Sequence, residues 1–160
     1  MGAAPWSGVA FRHTAPEREA LSGSGSFIFG GRWNPPDLVP TIYLALPEEA
    51  CVAEFLRMAE GQGRGAQSFL PRDLHVIDVN ALNVLDLTAE AALRAIGLSM
   101  GDIASEDWST CQAVGQTAHY LGMQGIVAPS ATGVGLVIAA FEPAINRGQI
   151  VVRETRPLVY

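Results

Sequence analysis

The stretch GGRWNPP, residues 30–36, decides how the rest of the chain is interpreted. Two glycines precede Arg32, so the backbone can bend sharply there and leave room for a ligand beside the guanidinium. Arginine binds phosphate or carboxylate through a rigid fork of donors, which suits bidentate contact with an anion. Taken alone, Arg32 fits either a structural ion pair or an anion-binding site.

A strand and a helix are predicted soon after this turn. The segment TIYLA, residues 41–45, is β-branched and aromatic, which is typical of a buried strand. Pro47 suits the first turn of a helix, and Glu48 and Glu49 are favourable at its positively polarised end. We expect this helix to continue to Glu60, where GQGRG ends it.

Two polar side chains on these elements are candidates for a site. Successive helix residues are ~100° apart, which places Glu54 at the border of the apolar face. Its carboxylate can therefore reach a pocket at the end of the TIYLA strand, or lie solvated on the helix flank. Tyr43, in the middle of that strand, is either a core tyrosine with a satisfied hydroxyl or a ring that contacts a ligand.

Further candidates lie near both ends of the chain. Ser130 lies in APSATG, residues 128–133, where turn chemistry also accounts for a serine. It is not in a GxSxG elbow, which argues against an α/β-hydrolase nucleophile. His13 lies next to Arg12 and could line a site. The histidines lack metal-ligand spacing, and Cys51 and Cys111 are predicted to be free core thiols, so no metal is expected.

The remaining pattern predicts a single α+β domain over residues 1–160. Thr88 is expected to cap one helix, and a second is expected over 107–121, where Gly115 and Ala118 would permit close packing. Strands and helices are mixed without a strict βαβ rhythm, which favours α+β over a doubly wound sheet. Strands are predicted, besides TIYLA, over residues 9–12, 27–29, 75–79, 83–87, 125–128, 135–141 and 149–154.

Charge and composition exclude several classes of function. The net charge is −6, and the ten basic residues are all arginine. An acidic chain of this kind binds nucleic acid or anionic membranes poorly, so any phosphate must be held locally by placed arginines. The sequence has no secretory leader pattern and no apolar run long enough to span a bilayer, so we expect a cytoplasmic protein without a membrane partner.

Six segments, read in order, resemble the RES domain, a bacterial family named for its Arg, Glu and Ser. They are AFRHT (10–14), GGRWNPP (30–36), IYLA (42–45), AEFL (53–56), IVAPSA (126–131) and RETRPLVY (153–160). The resemblance covers nearly the whole chain. It implies an ADP-ribosyltransferase-like fold of mixed or antiparallel sheets with flanking helices. It also implies the toxin of a type II toxin–antitoxin module, which consumes NAD⁺ as substrate without a metal and is blocked by a cognate antitoxin.

Three residues match the residues that give the family its name and are therefore expected to be catalytic. Arg32 would neutralise the diphosphate of NAD⁺. Glu54 would stabilise the positive charge that develops on the ribose as nicotinamide leaves. Ser130 would orient the nicotinamide ribose or a phosphate by hydrogen bonds.

A second group, matched by position or neighbourhood, is expected to bind NAD⁺. The arginines would hold the diphosphate, and the tyrosine would stack against nicotinamide or ribose. The group consists of Arg12, His13, Arg32, Asn34 and Tyr43.

The acceptor of the ADP-ribosyl group is left open by the sequence. Many members of the family have an asparagine-containing stretch after the serine motif, whereas residues 132–141 are apolar here. Transfer to a target protein, to water and to phosphate are all compatible with the resemblance. Two other classes stay open: a non-catalytic nucleotide-binding module, with the Arg and Glu as an internal ion pair, and a nucleoside or sugar hydrolase.

Overall fold

A computed structural model describes residues 2–160, which contain six strands and five α-helices. The strands are β1 (Ala4–Thr14), β2 (Thr41–Leu46), β3 (Asp73–Asp86), β4 (Gly125–Pro129), β5 (Leu136–Phe141) and β6 (Ile150–Pro157). The α-helices are α1 (Ser24–Phe29), α2 (Glu48–Gly61), α3 (Glu90–Ala95), α4 (Met100–Ala104) and α5 (Ser109–Tyr120). Short 3₁₀ helices span Ala66–Phe69 and Glu142–Ala144.

All six strands belong to one sheet, which closes on itself. The strand order is β1-β2-β5-β4-β3-β6, and an additional pairing of β1 with β3 makes a ring of the first five strands. β6 pairs with β3 outside that ring, and only the β3–β4 pair is parallel. Ring closure pairs strand edges that would otherwise be exposed. The α+β class is confirmed, and the mixed sheet is a single closed one.

Strand β2 shows how the alternation of side chains divides core from cavity. Successive side chains of a strand point to opposite faces. Ile42 and Leu44 belong to the buried cluster inside the ring, with Ile77, Val127 and Ile138. Tyr43 therefore lies on the other face of β2, where α2 and the GGRWNPP turn cover the sheet.

Helices α2 and α5 each pack closely on the rest of the domain, and for α5 the small residues of the sequence predict this packing. Phe55 of α2 is fully buried against Leu74 and Leu158. On α5, a Cβ added at Gly115 would lie 1.6 Å from the carbonyl oxygen of Trp33, so only glycine permits this approach. Within residues 2–160, no helix is both long enough and apolar enough to cross a bilayer.

Two predicted strand assignments are wrong. Residues 27–29 lie in helix α1, where the Ser26 hydroxyl donates to Thr41 O at 2.7 Å. An apolar run of only three residues does not indicate whether the segment is a strand or a helix. The two strands expected over 75–79 and 83–87 form one strand, β3, because β1 pairs along it with a shift of register near Gly8.

One helix start differs from the prediction, and one helix was not predicted. Ala89, not Thr88, precedes α3, and the Thr88 hydroxyl donates instead to Asp86 Oδ1 at 2.6 Å. Helix α4 was not predicted, yet its start carries a capping box in which Ser99 and Asp102 exchange hydrogen bonds. A serine three residues before an acidic residue is a recognisable signal for such a start.

Candidate active site

A cavity of about 880 Å³ lies between α2, the outer face of β2 and the GGRWNPP turn. Its volume falls in the range of about 300–1,000 Å³ typical of ligand sites. Arg32 and Glu54 both line it, so residues 22 positions apart on different elements face one space. Arg12, His13 and Tyr43 line it as well.

Glu54 is held by a short chain of hydroxyl groups. The Ser130 hydroxyl donates to Glu54 Oε1 at 2.7 Å. With that proton committed, the Thr132 hydroxyl, 2.8 Å from Ser130 Oγ, is the donor in the next bond. Ser130 is only 2% exposed and does not line the cavity. Its contact with the site therefore passes through the Glu54 carboxylate, and a direct bond to a ribose or phosphate is not what this geometry supports.

The Arg32 guanidinium is oriented by backbone carbonyls rather than by a carboxylate. Its Nη1 donates to Ser105 O at 2.7 Å and to Asp102 O at 3.3 Å, and the group lies 5.9 Å from the centre of the Trp108 ring. No ion pair joins it to Glu54 within the described part of the chain. The internal Arg–Glu pair of the binding-module hypothesis is thus not formed, and the guanidinium keeps donors free for an anion.

Tyr43 presents its ring, not its hydroxyl, to the cavity. The hydroxyl donates to Asn34 Oδ1 at 2.6 Å and accepts from Trp33 N at 2.9 Å. Burial raises the pKa of the Tyr43 phenol above its ordinary value, so the group stays neutral. A Cβ at Gly31 would lie 2.5 Å from the Tyr43 hydroxyl oxygen. Gly31 therefore leaves room for Tyr43, whereas the sequence suggested room for a ligand.

Asn34 lies behind the cavity wall. Its side chain is fully buried, does not line the cavity, and donates to Ser26 O at 3.0 Å and Val39 O at 3.3 Å. A direct contact with NAD⁺, as the sequence suggested, is therefore not supported by this geometry. Asn34 instead positions the Tyr43 ring.

Arg12 braces the loop before α1. Its Nη1 donates to Ala20 O and its Nη2 to Ser22 O, both at 2.9 Å. Burial lowers the pKa of Arg12 from its ordinary value, and the nearby Glu142 carboxylate opposes that shift. The charge still faces the cavity, although the two terminal nitrogens are already occupied. Arg12 can thus contribute to the positive electrostatic potential of the cavity, but it is poorly placed to bind an anion in a bidentate manner.

His13 is a neutral donor on the cavity wall. Arg72 Nε donates to His13 Nδ1 at 2.9 Å, so the proton of the neutral ring lies on Nε2. Burial, reinforced by the positive charges of Arg72 and Arg12, lowers the pKa of His13 to about 3. The ring also packs edge-on against Phe55, with centroids 5.5 Å apart. His13 therefore offers one N–H donor that does not titrate near neutral pH.

The comparisons with known proteins show the family to which the chain belongs. A model of the RES domain matches residues 6–160. The chain belongs to the RES-domain family. The NAD(+) phosphorylase MbcT of Mycobacterium tuberculosis is 47% identical over 156 residues, which cover 96% of this chain and 84% of that protein. The MbcT of Mycobacterium bovis gives the same values.

A solved structure matches the fold of this RES domain closely. It is a crystal structure of the M. tuberculosis MbcT–MbcA toxin–antitoxin complex, with a TM-score of 0.91 and 47% identity. The match covers 98% of this chain and 87% of the chain in that crystal structure. Similarity at this level extends through the strands and helices that carry the cavity.

Several cavity residues of the RES domain were missed by sequence reasoning. Arg57 and Glu106 add charges to the wall, and Trp108 lies beside Arg32. Arg72 does not line the cavity, but it fixes the tautomer of His13, which does. Arg57 alone had a readable signal, since it lies three residues after Glu54 and hence on nearly the same side of the helix. Residues 2–160 contain no group of three His, Cys, Asp or Glu side chains that could hold a metal ion.

Proposed function

We propose that this protein is the toxin of a toxin–antitoxin pair and acts as an NAD⁺ phosphorylase. It would break the nicotinamide–ribose bond of NAD⁺ and pass the ADP-ribosyl group to inorganic phosphate. Family membership and 47% identity to proteins named NAD(+) phosphorylase support phosphate as acceptor over a protein side chain or water.

One observation carries the proposal: Glu54, fixed by Ser130, shares a cavity with free donors of Arg32. The chain has a net charge of −6, yet the cavity wall carries three arginines and two glutamates. A locally positive wall attracts a dinucleotide diphosphate that the rest of the surface would repel. Arg12, Arg32 and Arg57 are the three arginines.

The reaction needs a carboxylate where positive charge develops. When the C–N bond to nicotinamide breaks, its electron pair moves to the ring nitrogen, and the ribose takes on oxocarbenium character. Glu54 would stabilise that charge and hydrogen-bond the ribose hydroxyls. The Ser130 hydroxyl keeps the carboxylate in place, so little reorganisation is needed during the reaction.

The remaining residues would position the substrate. The Nη2 and Nε donors of Arg32 would bind a diphosphate oxygen, because Nη1 is already committed to Ser105 and Asp102. The Tyr43 ring would pack against nicotinamide or ribose. His13 Nε2–H would donate to an oxygen of the substrate at any pH near neutrality. The protein therefore needs no resident cofactor in this scheme, with NAD⁺ as substrate.

An antitoxin would block the mouth of the cavity. Phe29 and Ile28 are 81% and 60% exposed, and Phe29 and Trp108 line the cavity. Apolar side chains exposed beside a site commonly mark a protein-binding surface. The matched M. tuberculosis structure is a toxin–antitoxin complex, which supports the same kind of partner here.

The test uses NAD⁺ labelled in its adenylate half. Purified protein is incubated with the label, with and without phosphate, and in cell lysate. The proposal expects nicotinamide and labelled ADP-ribose 1-phosphate, and a Glu54→Gln variant that forms both at least about a hundredfold more slowly. Label on a protein band would instead indicate a protein ADP-ribosyltransferase. Labelled ADP-ribose alone would indicate hydrolysis, and no release of nicotinamide by the wild type would indicate a binding module.

A further inference from the structure

A second cavity adjoins the first one at Arg57 and Ala131. It has a volume of about 440 Å³ and lies between α2 and the turn that follows β4. Arg57 and Ala131 line both cavities, so these two residues form the boundary between them. The two cavities thus meet at Arg57, which lies three residues after Glu54 on α2.

Arg57 is the arginine of the cavity wall with its whole donor fork free. Arg12 has both terminal nitrogens on backbone carbonyls, and Arg32 has Nη1 on two carbonyls. Within residues 2–160, Arg57 makes no hydrogen bond and no ion pair, although its side chain is half-buried. A free and partly desolvated guanidinium is suited to a bidentate bond with an oxyanion.

The turn opposite Arg57 offers a second donor. The backbone N–H groups of Ser130, Thr132 and Gly133 are bonded within the turn, to Gly135 O, Ser130 Oγ and Ser130 O. The N–H of Ala131 has no such acceptor among the described residues. Arg57 and Ala131, which line both cavities, therefore each keep an unused donor.

We infer that Arg57, with the N–H of Ala131, binds the inorganic phosphate that accepts the ADP-ribosyl group. This inference rests on the proposed function and names its acceptor site. Glu54 lies one helical turn from Arg57, and residues so spaced have Cβ atoms ~5–6 Å apart. Phosphate bound to Arg57 is therefore adjacent to a ribose whose developing charge faces Glu54.

The transfer balances without a redox partner. An oxygen of hydrogen phosphate forms the new bond to the ribose carbon while the C–N bond breaks and its electron pair stays on nicotinamide. The proton of hydrogen phosphate is released to solvent. Glu54 and Glu60 lie about one helical turn before and after Arg57, and their negative charges repel the anion. Binding therefore depends on the two parallel hydrogen bonds that the Arg57 guanidinium can donate to a phosphate. Lysine, a point charge without the fork, should replace it poorly.

The test measures phosphate dependence in the Arg57→Gln variant. Initial rates of nicotinamide release are recorded while phosphate and NAD⁺ are varied in turn, with ADP-ribose and ADP-ribose 1-phosphate separated. We expect the KM for phosphate to rise at least about tenfold, and the KM for NAD⁺ to rise several times less, because Arg57 acts on NAD⁺ only through its contribution to the charge of the wall. The share of ADP-ribose among the products should increase, because water replaces the missing acceptor. Arg57→Lys should fall between the variant and the wild type.

A matched control removes the same charge elsewhere. Arg64 lies after α2 outside both cavities, with its guanidinium 4.7 Å from the Phe69 ring. Arg64→Gln should leave both KM values unchanged. Equal phosphate KM values in Arg57→Gln and Arg64→Gln would overturn the inference, as would a rise confined to the KM for NAD⁺.

Direct binding separates this inference from the proposed function. Titration of inorganic phosphate, followed by phosphorus NMR line broadening, requires no turnover. Weaker binding in Arg57→Gln than in Arg64→Gln supports the site even if the wild type released no nicotinamide, a result that would count against the proposed function alone. Equal phosphate binding by the two variants would refute the site. Should Arg57→Gln fail to fold, the same comparison is made with Arg57→Lys.

Discussion

The Ser130 hydroxyl donates a 2.7 Å hydrogen bond to Glu54 Oε1, and this bond joins the turn after β4 to helix α2 across 76 positions of the chain. A carboxylate on a helix flank has several rotamers when unrestrained. The bond selects one of them and leaves Oε2 for the substrate. Ser130 thus acts on the reaction through Glu54, which makes it a positioning residue.

The first prediction compares Ser130→Ala with Glu54→Gln. A hydrogen bond to a charged group contributes about 1.5–3 kcal/mol, so Ser130→Ala should lower kcat roughly tenfold or more. Glu54→Gln should lower kcat by about 10²–10³, because the charge that opposes the oxocarbenium ion is lost. Rates of nicotinamide release at saturating NAD⁺ measure both effects.

The double variant checks that the two residues act as a unit. If Ser130 works through Glu54, adding Ser130→Ala to Glu54→Gln should cost little more than Glu54→Gln alone. If the two residues acted independently, the factors by which the single substitutions lower kcat would multiply in the double variant. That outcome would indicate that Ser130 contacts the substrate directly.

The second prediction concerns the close approach of α5 to Trp33. A Cβ at Gly115 would lie 1.6 Å from the Trp33 carbonyl oxygen, so Gly115→Ala must displace backbone. We expect a loss of at least about 3 kcal/mol in the free energy of unfolding, measured by denaturant titration. Gly61→Ala is the control, since nothing lies within 4 Å of its added Cβ. Equal stability of the two variants would contradict the packing described.

Strand β2 and helix α2 could be predicted because the pattern that specifies each of them lies within its own residues. TIYLA forms β2 because a β-branched, aromatic run suits a sheet. EEACVAEFLRMAE forms α2 because its acidic first turn and its apolar face both favour a helix. Glu54 at the border of that face was also predictable, since the position follows from the helical repeat alone. The two glycines before Arg32 marked it as a candidate, although Gly31 makes room for Tyr43 and not for a ligand.

The rest depends on contacts between distant residues. The closure of β1 on β3 is set by pairing across about 70 positions, and no local pattern carries it. The hydrogen bond between Tyr43 and Asn34 depends on the packing of the GGRWNPP turn on β2, which the sequence does not reveal. Arg57 became a candidate because the turn at Ala131, 74 positions away, forms a cavity wall with it.

The third prediction separates the ring of Tyr43 from its hydroxyl. Tyr43→Phe removes the partner of Trp33 N and of Asn34 Oδ1, so stability should fall by about 1–3 kcal/mol. The KM for NAD⁺ should change less than about twofold, because the hydroxyl does not face the cavity. Tyr43→Leu should raise that KM several-fold, since it removes the stacking surface. A larger rise of KM in Tyr43→Phe than in Tyr43→Leu would assign substrate binding to the hydroxyl.

The fourth prediction concerns acid and the neutral imidazole of His13. Its pKa is about 3 in the folded protein, below the ordinary value of 6.5 for an unfolded chain. The unfolded state therefore binds a proton that the folded state does not once the pH falls below 6.5, and stability decreases as the pH falls from there toward 3. Above pH 6.5 the group contributes no pH dependence. Between pH 7 and pH 5 the expected loss from His13 is about 2 kcal/mol.

The measurement compares urea denaturation of the wild type and His13→Gln at pH 7 and pH 5. Glutamine retains an acceptor for Arg72 and does not titrate, so the variant should lose less stability on acidification. Burial also lowers the pKa of His75, which adds acid sensitivity to both proteins and cancels in the difference. If the wild type and His13→Gln differ in unfolding free energy by the same amount at pH 7 and at pH 5, His13 takes up a proton in the folded state. In that case the N–H donor assigned to it in substrate binding would titrate near neutral pH, and the KM for NAD⁺ should follow that titration.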